Sequence, residues 1–224
     1  MNRILVPKKN LRALNFIQTH KQFLWLRRYF DTLQSFEIDN SISQKKLPED
    51  ADAFFVGVDP SLLSETYSEA LEMVIKVLSK NRKFKVDVKI DLKHIRSGAF
   101  QEAMLDNIFE DQGNPVVIYP AQLGEAYYGL TPGKVIRRMR VCKFGLSTFQ
   151  ALTILLTHHE LLVNKNELAI CCVGDEYCSD GKYNLDSAPV LYLDKDGKTI
   201  VLDKINKGTN WNNTVGCATG YYIP

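Results

Sequence analysis

Two adjacent histidines, His158 and His159, and five cysteines, Cys142, Cys171, Cys172, Cys178 and Cys217, are the residues of this chain best equipped for chemistry. Neutral imidazole binds metals and titrates near physiological pH, and a thiolate is a strong nucleophile. A reactive constellation would need a cysteine, an imidazole and a carboxylate together. Cys178 is the nucleophile candidate, because it lies in the glycine-bounded acidic loop 174–181 with Asp175, Glu176 and Asp180, and His158 or His159 would be its base. No local cysteine-hydrolase signature surrounds it, and most loops of this composition are solvated turns.

Metal chelation by the histidine pair is disfavoured by spacing. Adjacent helical residues point about 100 degrees apart, whereas zinc helices set paired histidines at i and i+4. Cys171 and Cys172 are consecutive in a strand-like run and face opposite sides, so they do not share one tetrahedral ion. The sequence implies no metal and no cofactor.

The histidines close a helix that begins at Ser147. Ser147 can accept from the Gln150 amide while the Gln150 side chain reaches back to the Ser147 amide, a capping box. Phe149, Leu152, Leu156, His159 and Val163 form one stripe, and Ala151, Leu155, His158 and Leu162 a second beside it. Only Gln150, Thr153, Thr157 and Glu160 remain polar, which predicts a largely buried helix. Both imidazoles are then interior scaffolding, each held through a ring nitrogen.

Other apparent motifs dissolve on inspection. Gly129-Leu130-Thr131-Pro132-Gly133-Lys134-Val135 is one residue short of a phosphate loop and lacks the magnesium-binding hydroxyl. Thr131 as helix cap and Pro132 in the first turn account for it. Asp194-Lys195-Asp196-Gly197 has no glutamate at the twelfth position of a calcium loop, Ile205 standing there. It reads as a hairpin turn pairing Leu193 with Ile200 and Leu191 with Leu202. Trp211 and Asn213, within Gly208–Thr214, combine an aromatic ring with polar groups suited to a polar ligand or peptide. The same residues would also serve as a tail folded over a sheet.

The elements that must position these groups follow from periodicity. Residues 9–36 read as one or two amphipathic helices, and the arm over residues 1–36 carries +6 before histidine, from seven Lys or Arg against Asp31. Such an arm, through Arg12, Arg27 and Arg28, could meet nucleic acid or an anionic membrane, although basic outer faces are usually just solvated. Residues 39–52 read as flexible. A strand at 53–58 precedes a helix capped by Asp59 with Pro60 at its first position, then an alternating strand at 84–90, together a crossover unit. The alternation places that last strand at an edge or with one face exposed, so a mixed sheet is expected. A helix at 99–109, a strand at 115–119, an extended piece at 125–130, a short helix from Thr131-Pro132 to about Met139, and a strand at 168–173 complete the pattern.

The chain resembles a bacterial family known only as a domain of unknown function. The resemblance is carried in order by Thr131-Pro132, Leu156-Thr157-His158-His159-Glu160, Asn164-Lys165-Asn166, Val173-Gly174, Ala188-Pro189-Val190-Leu191 and Gly216-Cys217-Ala218. The end departs from the family pattern at Trp211-Asn212-Asn213-Thr214-Val215. The resemblance implies a bacterial origin and this architecture, and no reaction.

The 224 residues, 45% hydrophobic and 24% charged with net charge +2, fit one domain of ordinary composition without a strong nucleic-acid signal. No apolar run is long enough to span a bilayer, no secretory signal opens the chain, and an odd cysteine count favours reduced thiols. The default location is the cytoplasm, although export without a cleaved signal would look the same. The expected fold is α+β: one domain over 1–224, a helical arm over 1–38, a mixed sheet with packed helices over 53–224, and a C-terminal hairpin. The expected role is a noncatalytic module for a protein or small polar ligand, with cysteine chemistry at Cys178 as the alternative and the basic arm as a second.

Overall fold

The computed structural model describes residues 17–80, 85–139, 142–158, 169–178, 187–206 and 215–224. Five helices are present there: α1 (Thr19–Tyr29), α2 (Tyr67–Lys80), α3 (Ala99–Gln112), α4 (Pro132–Ile136) and α5 (Thr148–Thr157). The strands are β1 (Ala53–Val58), β2 (Lys85–Val88), β3 (Ile95–Ser97), β4 (Val116–Leu123), β5 (Lys143–Gly145), β6 (Ala169–Cys171), β7 (Asp175–Tyr177), β8 (Ser187–Leu193), β9 (Thr199–Asn206) and β10 (Val215–Tyr221). Seven strands run in the order β1-β4-β10-β6-β8-β9-β2, β5 adds to β10, and β3 and β7 form a separate ladder. β10 with β6 and β2 with β9 are parallel and the other pairs antiparallel, so the sheet is mixed and the fold α+β.

The hairpin forms in the expected register, Leu193 opposite Ile200 and Leu191 opposite Leu202, with Gly197 at φ +65° in its turn. Alternation also sorts the sheet's two faces. Cys172, Leu191 and Ala218 join the main core, while Cys171, Val190 and Cys217 join a smaller cluster on the other side.

Several expectations need correction. Asp59 and Pro60 start only a 3-10 turn, Pro60–Leu62, and α2 begins at Tyr67. β1 and β2 are not neighbours: they lie at opposite edges of the sheet, because β1 finds β4 as its antiparallel partner. Residues 125–127 form a 3-10 turn rather than an extended piece, and the stretch expected to be flexible holds the turn Asn40–Gln44, capped by Asp39. Gly208–Thr214, the expected covering tail, lies outside the described residues, while the stretch from Val215, to which the sequence assigned no element, is β10, a central strand. There Gly216 approaches Gly124 so closely that a Cβ on Gly216 would collide with the Gly124 backbone.

Each exposed edge is managed differently. Against β1 lies α1, whose buried Gln22 accepts from the Val56 amide (3.0 Å) and donates to the Phe54 carbonyl (3.0 Å), taking the place of a further strand. At the other edge β2 carries Lys85 and Asp87 to solvent.

Candidate functional site

All ten residues of α5 are buried, so even Gln150, Thr153 and Thr157 have no solvent face. A helix whose N-terminus ends inside a protein leaves four amides to satisfy. Here each has a partner. The Thr148 amide donates to Asp175 Oδ2 (2.7 Å), Phe149 to the Tyr67 hydroxyl (3.3 Å), Gln150 to Ser147 Oγ (3.2 Å), and Ala151 to the Ser147 carbonyl (3.0 Å). Only the Ser147 half of the expected capping box forms. Gln150 Oε1 has no hydrogen-bond partner among the described residues, because Asp175 and Tyr67 do the remaining capping.

Asp175 therefore corrects the reading of 174–181 as a solvated turn. It is fully buried at the start of β7, with Tyr67 donating to both carboxyl oxygens (3.1 and 2.9 Å). Gly174 allows this, since a Cβ there would meet the backbone of Gly145 and Leu146 and push the loop off α5. Burial raises the Asp175 pKa to about 7. Hydrogen bonds from Thr148 and Tyr67 offset only part of that cost, and the Glu102 carboxylate pushes the same way. Burial, then the neighbouring Asp175, also raises the Cys172 thiol well above its ordinary value, which makes it a packed thiol rather than a nucleophile.

His158 closes the other end of α5 as its C-cap, and α5 stops at Thr157 rather than running on. The ring is fully buried, edge-on to Phe55 at 5.3 Å. Its Nε2 accepts from the Ile17 amide (3.2 Å) and Nδ1 lies 2.8 Å from Thr157 Oγ1, whose hydroxyl donates to the Ile154 carbonyl (3.0 Å). With the Thr157 hydroxyl committed as donor to Ile154, Nδ1 serves as the donor to Oγ1 and Nε2 as the acceptor from Ile17.

Cys178 is buried just beyond β7, and its amide donates to the His94 carbonyl (3.0 Å). It thus leaves the Asp175 end of α5, while His158 sits about 15 Å along the helix at the far end, at 1.5 Å per residue. His159, Trp211, Asn213 and Arg12 lie outside the described residues. Arg27, of the basic arm, stacks on Phe23 (5.5 Å) and donates to the Gln34 carbonyl (2.6 Å). Among the described residues no three His, Cys, Asp or Glu side chains gather as a metal site, and no helix is long and apolar enough to cross a membrane.

A different feature opens where two central strands part. β10 pairs with β4 at Ala218–Leu123, Thr219–Gln122 and Gly220–Ala121. Beyond that, Ile118 is met by a side chain: Gln112 of α3 donates to its carbonyl (2.8 Å) and accepts from its amide (2.9 Å). Pro120 lies between, and by the alternation of an antiparallel strand its missing N–H falls on this same side. The resulting cleft, about 250 Å³, is lined by Ile108, Asp111, Ile118, Tyr119, Ile42 and Tyr222 among others. At its rim Tyr222 donates to Asp111, and Lys45 donates to the Pro224 carbonyl (2.8 Å).

Tyr119 is 1% exposed and packs near Phe144 (5.8 Å) and Gly57, yet its hydroxyl has no hydrogen-bond partner among the described residues. Burial holds this phenol above its ordinary pKa, so it remains a donor lacking an acceptor. Sequence reading assigned Tyr119 and Tyr67 no functional role and placed Asp175 only in an acidic loop. A proline inside the apolar run 115–123 was the available sign of the cleft, whereas nothing local marked Asp175 or Tyr67 as partners 108 residues apart. No protein-family model, curated protein or solved structure matches this chain.

Proposed function

We propose that the chain is a noncatalytic binding module that takes a small polar ligand in the cleft between β4 and the C-terminal residues. The observation that carries this reading is the unsatisfied Tyr119 hydroxyl of a residue lining that cleft. An unmade buried hydrogen bond costs about 1–3 kcal/mol, and a bound group that brings an acceptor recovers it. The apolar Ile108 and Ile118 beside the carboxylate of Asp111 supply the mixed lining that such sites use. At about 250 Å³ the space suits a molecule smaller than an ordinary drug. The ligand class is a compact molecule with a carbonyl, carboxylate or similar acceptor at one end.

Binding accords with how the reactive residue types are used. Asp175 accepts from the Thr148 amide of α5, His158 accepts from the Ile17 amide, and Cys172 is held as a thiol. Cys142, Cys172 and Cys217 carry free thiols, in keeping with a reducing compartment such as the cytoplasm. The bacterial family resemblance is part of this same proposal.

Ligand-observed NMR with a panel of small carboxylates, amides and sugars tests the reading. At least one should bind, displace on filling the cleft with Ile42→Trp, and lose about tenfold affinity in Tyr119→Phe. Turnover in a hydrolase panel, abolished by Cys178→Ala, would instead establish cysteine chemistry with His158 or His159.

A further inference from the structure

Charge is unevenly spread over the lining of the cleft beside β4. Asp39 and Asp111 stand there against a single ammonium, Lys45, so two negative charges meet one positive. Lys45 is engaged with the Pro224 carbonyl (2.8 Å). Asp39 accepts from the Ser41 amide (2.9 Å) and the Ser41 hydroxyl (2.8 Å), and those bonds, the amide first, hold its carboxyl below the usual range, so it is anionic at neutral pH. Asp111 accepts from Tyr222 at Oδ2, and an ionised carboxylate offers about four acceptor sites. It keeps capacity for a further donor.

Aromatic side chains add a second attraction for positive charge. Tyr119, Tyr221 and Tyr222 all line the cleft, and the electron-rich faces of such rings draw cations. The chain already holds one ammonium in this way on Tyr221: Lys143 Nζ lies 4.9 Å from that ring centroid and 5.9 Å from the Tyr127 centroid, with Asp50 Oδ2 at 2.9 Å. The buried Tyr119 hydroxyl, without a partner among the described residues, calls for an oxygen acceptor in the same space. A simple carboxylate would meet that donor and be repelled by Asp39 and Asp111.

We propose that the ligand of this cleft is a small organic cation, an ammonium group set among the tyrosines and the Asp39 and Asp111 carboxylates and joined through a short chain to a neutral oxygen acceptor for the Tyr119 hydroxyl. Amino alcohols, their methylated forms and amino-acid amides have this chemistry. The inference rests on the cleft being the binding site and adds the charge of the molecule that enters it.

Calorimetry and ligand-observed NMR on the full chain, with choline, ethanolamine and glycinamide as probes, test it. The alcohol in which carbon replaces the choline nitrogen serves as the uncharged control and acetate as the anion. At least one cation should bind about tenfold or more tightly than the uncharged control, and Asp39→Asn and Asp111→Asn should each remove most of that advantage. Added salt should weaken the cation and leave the control unchanged. An uncharged or anionic probe that binds as tightly as every cation overturns the inference, as does cation binding indifferent to both asparagine variants. If such a probe is still lost in Ile42→Trp and weakened in Tyr119→Phe, the cleft stands as the binding site and only the cationic class falls. Cation binding that survives Ile42→Trp and Tyr119→Phe lies elsewhere and overturns both readings.

Discussion

The two ends of buried helix α5 and the cleft beside β4 use their polar groups differently, although Gln150 Oε1 within α5 also lacks a partner among the described residues. Around α5, residues whose types promise reactivity are consumed: a carboxylate caps one end, an imidazole the other, and four N-terminal amides are satisfied. At the cleft, an unremarkable tyrosine is left with capacity to spare. The difference teaches that residue types able to react can be taken up by capping a helix, while the proposed site rests on a hydroxyl with hydrogen-bonding capacity left over.

The largest expected effect tests the α5 side. Asp175 binds its proton up to about pH 7 when folded, against about 3.9 when unfolded. Between those values the unfolded chain has released a proton that the folded chain keeps, so stability is full below pH 4, falls as pH rises through 7, and then levels. Three pKa units correspond to a decline on the order of 4 kcal/mol. Urea unfolding from pH 4 to 8 should show that decline, and Asp175→Asn should flatten it while retaining the cap. A wild-type profile that climbs over this window would mean the carboxylate is stabilised as an anion.

Asp175→Ala should cost about 3 kcal/mol near neutrality, since the Thr148 amide and Tyr67 hydroxyl lose their acceptor in the interior. His158→Ala should cost about 2–3 kcal/mol by the same logic at the other end, where Ile17 and Thr157 lose their partner. If either change is silent by chemical denaturation, that end of α5 is not held as described. Gln22→Ala, which strips two bonds from the β1 edge, should cost about 2 kcal/mol and promote aggregation measurable by light scattering.

Much of the architecture was legible because it is local. The Asp196-Gly197 turn fixed the β8–β9 register, the period-two pattern of 84–90 marked an edge strand, and the narrow polar face of 148–157 foretold burial. What was illegible is long-range. Whether β1 pairs with β2 or β4 is decided by competition among apolar strands that look alike in sequence. Whether Asp175 faces water depends on Gly174 meeting Gly145, 29 positions earlier. The C-terminal strand was hidden because Gly216-Cys217-Ala218 has weak strand propensity, and close packing against Gly124 overrides it. The cleft arises from where β10 and β4 separate, which no window of sequence contains.

Tyr119→Phe measures the central claim most directly, in one variant with two readings. If the hydroxyl is an unspent donor reserved for a ligand, its removal should leave the unliganded protein unchanged or up to about 1 kcal/mol more stable, while ligand stabilisation drops. A loss of more than about 1 kcal/mol in the unliganded protein, with ligand response intact, would show that the hydroxyl is already satisfied and that the cleft is not the binding site.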